Sequence, residues 1–320
     1  MTAPLLDVRG LSISFETARG RVPVVDRVSF RVGEGEVVGL VGESGSGKTV
    51  TALSIMGLLG EQGRVEAGQV LFEGRDLLRL PERELRRVRG RRVAMVFQEP
   101  MTSLNPLLPA GFQVAEVLEE HLGFGRREAA ARAVELFREV GIAAPEQRAR
   151  DYPHQLSGGL RQRVMIAMAM ACRPRLVIGD EPTTALDVTI QAQILALLRE
   201  LGRAAGTAVL LITHDLGVVA TMASRVVVMY AGEVVEDGPT AELLGAPRHP
   251  YTRLLLAVVP RVRDKQRRLP AIPGAIPPAG RLPGGCRFHP RCPQAIARCR
   301  EAAPPLEPRE PAHRVRCWVA

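Results

Sequence analysis

Residues 42 to 49 read Gly-Glu-Ser-Gly-Ser-Gly-Lys-Thr, a complete G-x-x-x-x-G-K-[ST] spacing set between a short apolar run, Val37 to Val41, and a helix-like stretch from Val50 to Leu59. A backbone that wraps phosphates needs residues free to turn, which Gly42, Gly45 and Gly47 supply. It also needs a helix start whose amides point at the anion. Glu43, Ser44 and Ser46 fill the rest of the cradle. Lys48 adds a charge at the β- and γ-phosphates, and the Thr49 hydroxyl can ligate Mg²⁺. The pattern predicts a nucleoside triphosphate site on a strand, loop and helix.

A length of 320 residues leaves room for one large domain with an appendage, and 46% apolar residues is ample for a core. The longest apolar run, Val164 to Cys172, is bracketed by Arg163 and Arg173 and falls far short of the ~20 residues that cross a bilayer. Residues 1 to 10 show no basic segment followed by an apolar stretch, so no secretory leader and a cytoplasmic location are expected. The net charge of +9 reads first as a solvated arginine-rich surface and second as attraction to an anionic membrane surface. Nucleic acid is not an expected partner.

Strand-like runs recur at Val37 to Val41, Val93 to Phe97, Leu176 to Gly179, Ala208 to Thr213 and Val226 to Tyr230, with helical stretches between them. That rhythm predicts an α/β fold, and the nearly continuous apolar character of these runs suits parallel strands covered on both faces. Leu5 to Phe15 and Val24 to Val32 mix apolar and polar residues and read as a smaller antiparallel side sheet. Within Val188 to Ala205, Ile190, Ile194, Leu197, Leu198 and Leu201 follow helical spacing. Between Phe97 and Cys172 three stretches suit helices, so a helical subdomain at about 99–172 is expected as an insertion. Leu269 to Gly285 is dominated by Pro and Gly and reads as a linker or extended arm, leading to a Cys-rich end at Cys286 to Ala320.

A second chemical element is Leu176-Val177-Ile178-Gly179-Asp180-Glu181, an apolar strand that delivers two carboxylates at its end. Asp180 is placed to hold Mg²⁺, and Glu181 to polarise a water for attack on the γ-phosphate. An acidic pair alone is more often a solvated turn; the apolar run before it and the phosphate cradle upstream favour the catalytic reading.

Upstream of that strand, Leu156-Ser157-Gly158-Gly159-Leu160-Arg161-Gln162-Arg163 resembles the signature motif of ATP-binding cassette ATPases. Ser157, Gly158 and Gly159 at a helix start offer a hydroxyl, free amides and the positive end of a helix dipole. The order of cradle, Gln98, signature, Asp180-Glu181, Ala185-Leu186-Asp187 and His214 is that family's order. Leu160 stands where many members have Gln, which spares Ser157 and Gly159.

The resemblance implies a P-loop nucleotide-binding core in which Gln98 senses the γ-phosphate and Mg²⁺ and His214 contacts the γ-phosphate. It assigns Asp187 to a loop that meets an opposite subunit. Phe15 is a candidate to stack on adenine and equally a side-sheet core residue. The family also implies that two cassettes pair head to tail around ATP, so hydrolysis needs a second chain.

Phe97-Gln98-Glu99-Pro100-Met101-Thr102-Ser103-Leu104-Asn105-Pro106, Tyr152-Pro153-His154-Gln155 and His249-Pro250-Tyr251-Thr252 are similar to the ATPases of dipeptide, oligopeptide and nickel importers. On that resemblance, residues 1–259 form the cassette and 260–320 the extension. The chain is expected at the cytoplasmic face of the membrane, with two permease subunits docking near Gln98 to Ala115, a second, related ATPase and an external substrate-binding protein. Peptides are the expected cargo; nickel, glutathione or another small substrate is the alternative. A soluble cassette protein of DNA repair, translation or iron–sulfur assembly is the second alternative, and it would call for a second cassette, a coiled-coil insertion or a basic arm.

Cys286, Cys292, Cys299 and Cys317 leave several readings open. Disulfides are disfavoured in a reducing cytosol, and zinc sites usually begin with a tighter C-x₂₋₄-C pair. Relatives with this extension carry four cysteines on a [4Fe-4S] cluster, so the resemblance implies one here, with zinc as the alternative and unligated thiols as the bland reading. Cys172 reads as a core residue.

Overall fold

The computed structural model describes residues 3–18, 20–184, 186–258 and 272–320. The expected boundary at 259/260 and the start of the Pro/Gly-rich arm, residues 269–271, lie outside them, as does Ala185. The chain divides into two compact units, one of residues 1–33, 37–79 and 211–320 and the other of 34–36 and 80–210.

In the first unit, β1 (Leu6–Thr17) and β2 (Gly20–Val32) pair antiparallel, with Leu6 opposite Val32, Val8 opposite Phe30 and Phe15 opposite Val22. Leu6, Val8, Leu11 and Ile13 on one strand and Val25, Val28, Phe30 and Val32 on the other are fully buried, which fixes the register, since a one-residue slip would turn them to solvent. After β3 (Val37–Val41) and α1 (Lys48–Ile55), the chain returns as β4 (Gly63–Phe72), which pairs antiparallel with β1, and ends in the short β5 (Arg75–Asp76). The side sheet therefore has the order β2-β1-β4-β5. Sequence reading missed β4, because its Arg64, Glu66, Ala67 and Gly68 are exposed and only Val70 and Phe72 are buried.

The second unit begins with α2 (Glu82–Val88) and β6 (Val93–Val96). Five helices follow between Pro100 and Met170, the stretch where helices are expected: α3 (Pro100–Ser103), α4 (Ala110–Leu122), α5 (Arg126–Glu139), α6 (Pro145–Arg148) and α7 (Gly158–Met170). In α5, Ala129, Ala133, Leu136 and Phe137 recur at i, i+4, i+7 and i+8 and make one buried face. α7 is buried nearly all round, through Val164, Met165, Ile166, Ala167, Ala169 and Met170, because α3, α4, α5 and α8 (Val188–Ala205) pack around it. Between α7 and α8 runs β7 (Leu176–Asp180), buried throughout and parallel to β6. The unit thus gathers β6, β7 and α8 with the helices rather than stopping at residue 172.

β8 (Ala208–Thr213) carries the chain back to the first unit, where α9 (Leu216–Met222) and β9 (Arg225–Tyr230) follow. β9 lies parallel to β3, Val41 opposite Val228, and β10 (Glu233–Pro239) turns back antiparallel to it. α10 (Thr240–Gly245) and α11 (Pro250–Ala257) come next. The Cys-rich end holds α12 (Arg298–Glu301), β11 (Glu307–Glu310) and β12 (His313–Val315). β12 pairs antiparallel with β10, Glu236 opposite Val315, and β11 adds outside it. No strand is expected there from sequence, since His313-Arg314-Val315 is too short to show a period.

Tyr230, Tyr251 and Phe288, from β9, α11 and the extension, are all buried with ring centroids 4.7 to 5.4 Å apart, within the range of favourable edge and tilted packing.

Candidate nucleotide site

The phosphate loop joins β3 to α1 in the first unit. Gly42 must lack a side chain, because a Cβ there would sit 2.2 Å from the Met229 carbonyl oxygen. Gly47, at φ 100°, caps α1, so the helix amides open onto the loop. Lys48 is 5% exposed, and its Nζ donates to the carbonyls of Gly42 at 2.8 Å and Glu43 at 3.0 Å, which folds the loop around the ammonium. Ser44, Gly45 and Thr49 are exposed, and the buried Ser46 hydroxyl has no hydrogen-bond partner. The loop is thus a glycine-rich turn at a helix start that carries one ammonium and an exposed threonine, the residue set that suits an Mg²⁺-bound phosphate chain.

Two candidates of the same unit flank other elements. Phe15 is half-buried in β1 beside Gly63, outside the fully buried set, and a Cβ on Gly63 would stand 3.2 Å from its ring. The glycine leaves the ring room. His214 is exposed at the end of β8, where Asp215 caps α9 by accepting from the amides of Gly217 at 2.8 Å and Val218 at 3.3 Å.

In the second unit the parallel register places Val96 opposite Gly179, so the residues two beyond each, Gln98 and Glu181, leave adjacent strand ends together. Gln98 Nε2 donates to Glu181 Oε2 at 3.2 Å, and the Thr184 hydroxyl donates to the same oxygen at 2.9 Å. Asp180, 2% exposed, is the last residue of β7. Glu181 has φ 46°, a left-handed conformation that a non-glycine residue adopts only where its surroundings enforce it, as active sites often do. Sequence reading missed Thr184, for which the Pro182-Thr183-Thr184 run gave no chemical signal.

Ser157 caps α7, its hydroxyl accepting from the Leu160 amide at 3.4 Å. Ser157 and Gly158 are exposed, and Gly159 sits so close to Ile190 that a Cβ would approach its Cγ2 to 3.1 Å. A reachable helix tip with no acid in its first turn can receive an anion. Asp187 caps α8, accepting from the Ile190 amide at 2.9 Å, and the next residue, Val188, is 82% exposed. Still in this unit, Pro109, Phe112, Ala115, Arg126, Val134 and Arg150 line an open groove of about 670 Å³ that is largely apolar.

The four extension cysteines are all free thiols, and Cys172 is too. The Cys286 amide donates to the Cys299 carbonyl at 2.8 Å. Burial pushes the Cys286 thiol up to about 11, and the neighbouring Cys299, Cys317 and Cys292 add to the shift. Among the described residues, no three of the four sulfurs lie within 4.8 Å of one another, whereas Glu242, Glu310 and His313 do bring three ligand atoms that close.

Comparison with known proteins bears on both ends of the chain. Residues 25–184 match the ABC transporter family, and residues 235–299 match the oligopeptide/dipeptide transporter C-terminal region. The dipeptide transport ATP-binding protein DppD of Escherichia coli is 52% identical across 94% of this chain and 92% of its own length. The oligopeptide transport ATP-binding protein AppD of Bacillus subtilis is 49% identical across 98% and 96%. The probable peptide ABC transporter ATP-binding protein y4tR of Sinorhizobium fredii is 53% identical across 98% and 94%. Among solved structures, the ATP-binding cassette MJ0796, a dimer in a post-hydrolysis state bound to ADP and Pi, aligns with a TM-score of 0.66 at 30% identity, over 73% of this chain and 98% of that one.

Proposed function

This chain belongs to the ABC transporter family, in the branch that carries the oligopeptide/dipeptide C-terminal region, and from that premise we propose that it is the ATP-hydrolysing subunit of a peptide importer. The observation that carries the reading is the likeness, at 49 to 53% identity over nearly the whole chain, to three ATP-binding proteins of peptide transport.

Each residue then has a physical task. Lys48 and the amides behind it bind the triphosphate, Thr49 and Asp180 hold its Mg²⁺, and Phe15 stacks on adenine. Glu181 accepts the proton of the attacking water, held by Gln98 and Thr184 in the geometry where both donate to its carboxylate. His214 contacts the γ-phosphate from the end of β8. The Ser157-Gly158-Gly159 tip, exposed at Ser157 and Gly158, binds the triphosphate held by a second cassette, with Asp187 and Val188 in the same contact. ATP thereby joins two chains, and its cleavage separates them.

The groove beside Phe112, which is 49% exposed, receives a permease segment, since an apolar concavity of this size with charged rims suits an inserted helix end. No helix among the described residues is long and apolar enough to cross a membrane, so that role falls to separate permease subunits. The complex would include two of them, a second, related ATPase and an external substrate-binding protein, with this chain at the cytoplasmic face.

Cys286, Cys292, Cys299 and Cys317 hold a [4Fe-4S] cluster. What supports the reading is that four cysteines fall in one short segment, the Cys286 thiol having those of Cys299, Cys317 and Cys292 as neighbours. The cluster's contribution when bound is to staple a segment with few apolar residues.

Reconstitution of the complex in liposomes tests the function. Dipeptide with the binding protein should stimulate ATP hydrolysis and enter the lumen. Stimulation by nickel or glutathione but by no peptide would overturn the cargo, and loss of this chain from the purified permeases would overturn the transport role.

A further inference from the structure

The phosphate loop is held by the C-terminal extension through one guanidinium. Arg291 donates to both carboxylate oxygens of Glu43, Nη1 to Oε2 at 2.9 Å and Nη2 to Oε1 at 3.0 Å. Its side chain is only 5% exposed, and the rest of its donors are satisfied by the Pro273 carbonyl at 2.8 Å, the Gly274 carbonyl at 3.5 Å and the Tyr230 hydroxyl at 3.4 Å. A second tie runs through Tyr251, whose hydroxyl accepts from the Glu43 amide at 2.9 Å. Phe288, three residues before Arg291, packs on both tyrosines.

The charge arithmetic gives this contact a purpose. Glu43 is the one acid and Lys48 the one base within residues 42–49, so the loop alone is neutral and presents a carboxylate to a polyanion. Arg291 cancels that carboxylate, and its fork clamps the plane of the acid in a fixed direction. The position follows from the extension's own fold, because Arg291 ends the turn His289–Arg291 and stands next to Cys292.

We propose that Arg291 is a positioning residue for the triphosphate, neutralising Glu43 and fixing the phosphate loop so that the Cys-rich extension sets the chain's affinity for nucleotide. The inference rests on the reading of residues 42–49 as the triphosphate site.

MgATP binding to the full-length chain tests it, followed by calorimetry with MgADP in parallel. Arg291→Met should weaken MgATP about fivefold to tenfold, and MgADP less, because the exposed charge on Glu43 repels the more highly charged ligand more strongly. Arg291→Lys, which keeps the charge and loses the fork, should fall between. The Glu43→Gln/Arg291→Met double variant should recover most of the lost affinity, since no uncompensated carboxylate remains. Unchanged binding in both Arg291 variants overturns the proposal. So does a double variant no better than Arg291→Met, which would make Arg291 a support of the extension alone. Lys48→Ala, run beside them, separates the two levels: retained binding there would remove the triphosphate site itself.

Discussion

Gln98 Nε2 donates to Glu181 Oε2 at 3.2 Å, across the ends of two neighbouring parallel strands. A carboxylate held by an amide and by the Thr184 hydroxyl stays where a water can meet it, and the left-handed backbone at Glu181 fixes its exit from β7. Glu181→Gln should therefore lower ATP turnover by about 10²- to 10⁴-fold, the usual contribution of a general base, while leaving MgATP bound. Steady-state phosphate release from the reconstituted complex, with retained nucleotide measured in the same sample, checks it. Undiminished release would remove Glu181 from the role of base.

Lys48 is buried against the carbonyls of its own loop, so it serves both loop shape and ligand charge. Lys48→Ala should weaken MgATP by about tenfold to a hundredfold, the loss expected of one charge-assisted contact. Equilibrium binding of a fluorescent ATP analogue measures this.

Asp187 caps α8, and the cap can be separated from any role at an interface. Asp187→Ala should cost about 1 kcal/mol of stability, and Asp187→Asn much less, because Asn caps almost as well. Urea melts of the isolated chain give both numbers. If Asp187→Asn keeps its stability yet slows ATP turnover of the complex, the carboxylate acts beyond the cap.

His249 gives the first unit a pH dependence. Burial pushes its imidazole from 6.5 down to about 3, and its Nδ1 accepts from the Tyr251 amide, which requires the neutral ring. Between those values the unfolded chain binds a proton that the folded chain refuses. This contribution to stability is therefore whole above pH 6.5 and falls as the solution is acidified. By pH 5 the loss is on the order of 2 kcal/mol. Melting temperatures from pH 8 to pH 5 should drop more steeply for the parent than for His249→Asn, whose amide can cap the helix without titrating.

Anaerobic purification should yield iron and acid-labile sulfide bound to the chain, with visible charge-transfer absorbance. Cys299→Ser should remove both, since Cys299 is buried and its thiol lies near those of Cys286, Cys292 and Cys317. Stoichiometric zinc without sulfide would reverse the assignment.

Much of the site was legible because its chemistry is local. Gly42 to Thr49 needs only a loop that turns before a helix, and Asp180-Glu181 needs only an apolar strand that stops in the right place. The pairing of Gln98 with Glu181 was not legible, because it depends on β6 and β7 lying side by side in a parallel register that residues 83 positions apart do not announce. β4 was illegible because the alternation changes phase at an irregularity in its pairing with β1 near Ala67 and Gln69: exposed Arg64, Glu66 and Gly68 and buried Val70 and Phe72 all fall on even positions, so no single period of two runs through the strand. β12 was illegible because its partner, β10, lies far away along the chain, so its hydrogen bonds leave no trace in neighbouring residues.

Sequence alone determined the glycine-rich turn between a strand and a helix and the cassette order of motifs, because motifs a few residues long set backbone turns and helix starts by short-range sterics. Only the tertiary structure decided that Glu43 meets Arg291, a residue 248 positions later. No periodicity or spacing encodes that meeting. It arises when Tyr230, Tyr251 and Phe288 bury their rings together, and that shared burial draws the guanidinium onto the loop.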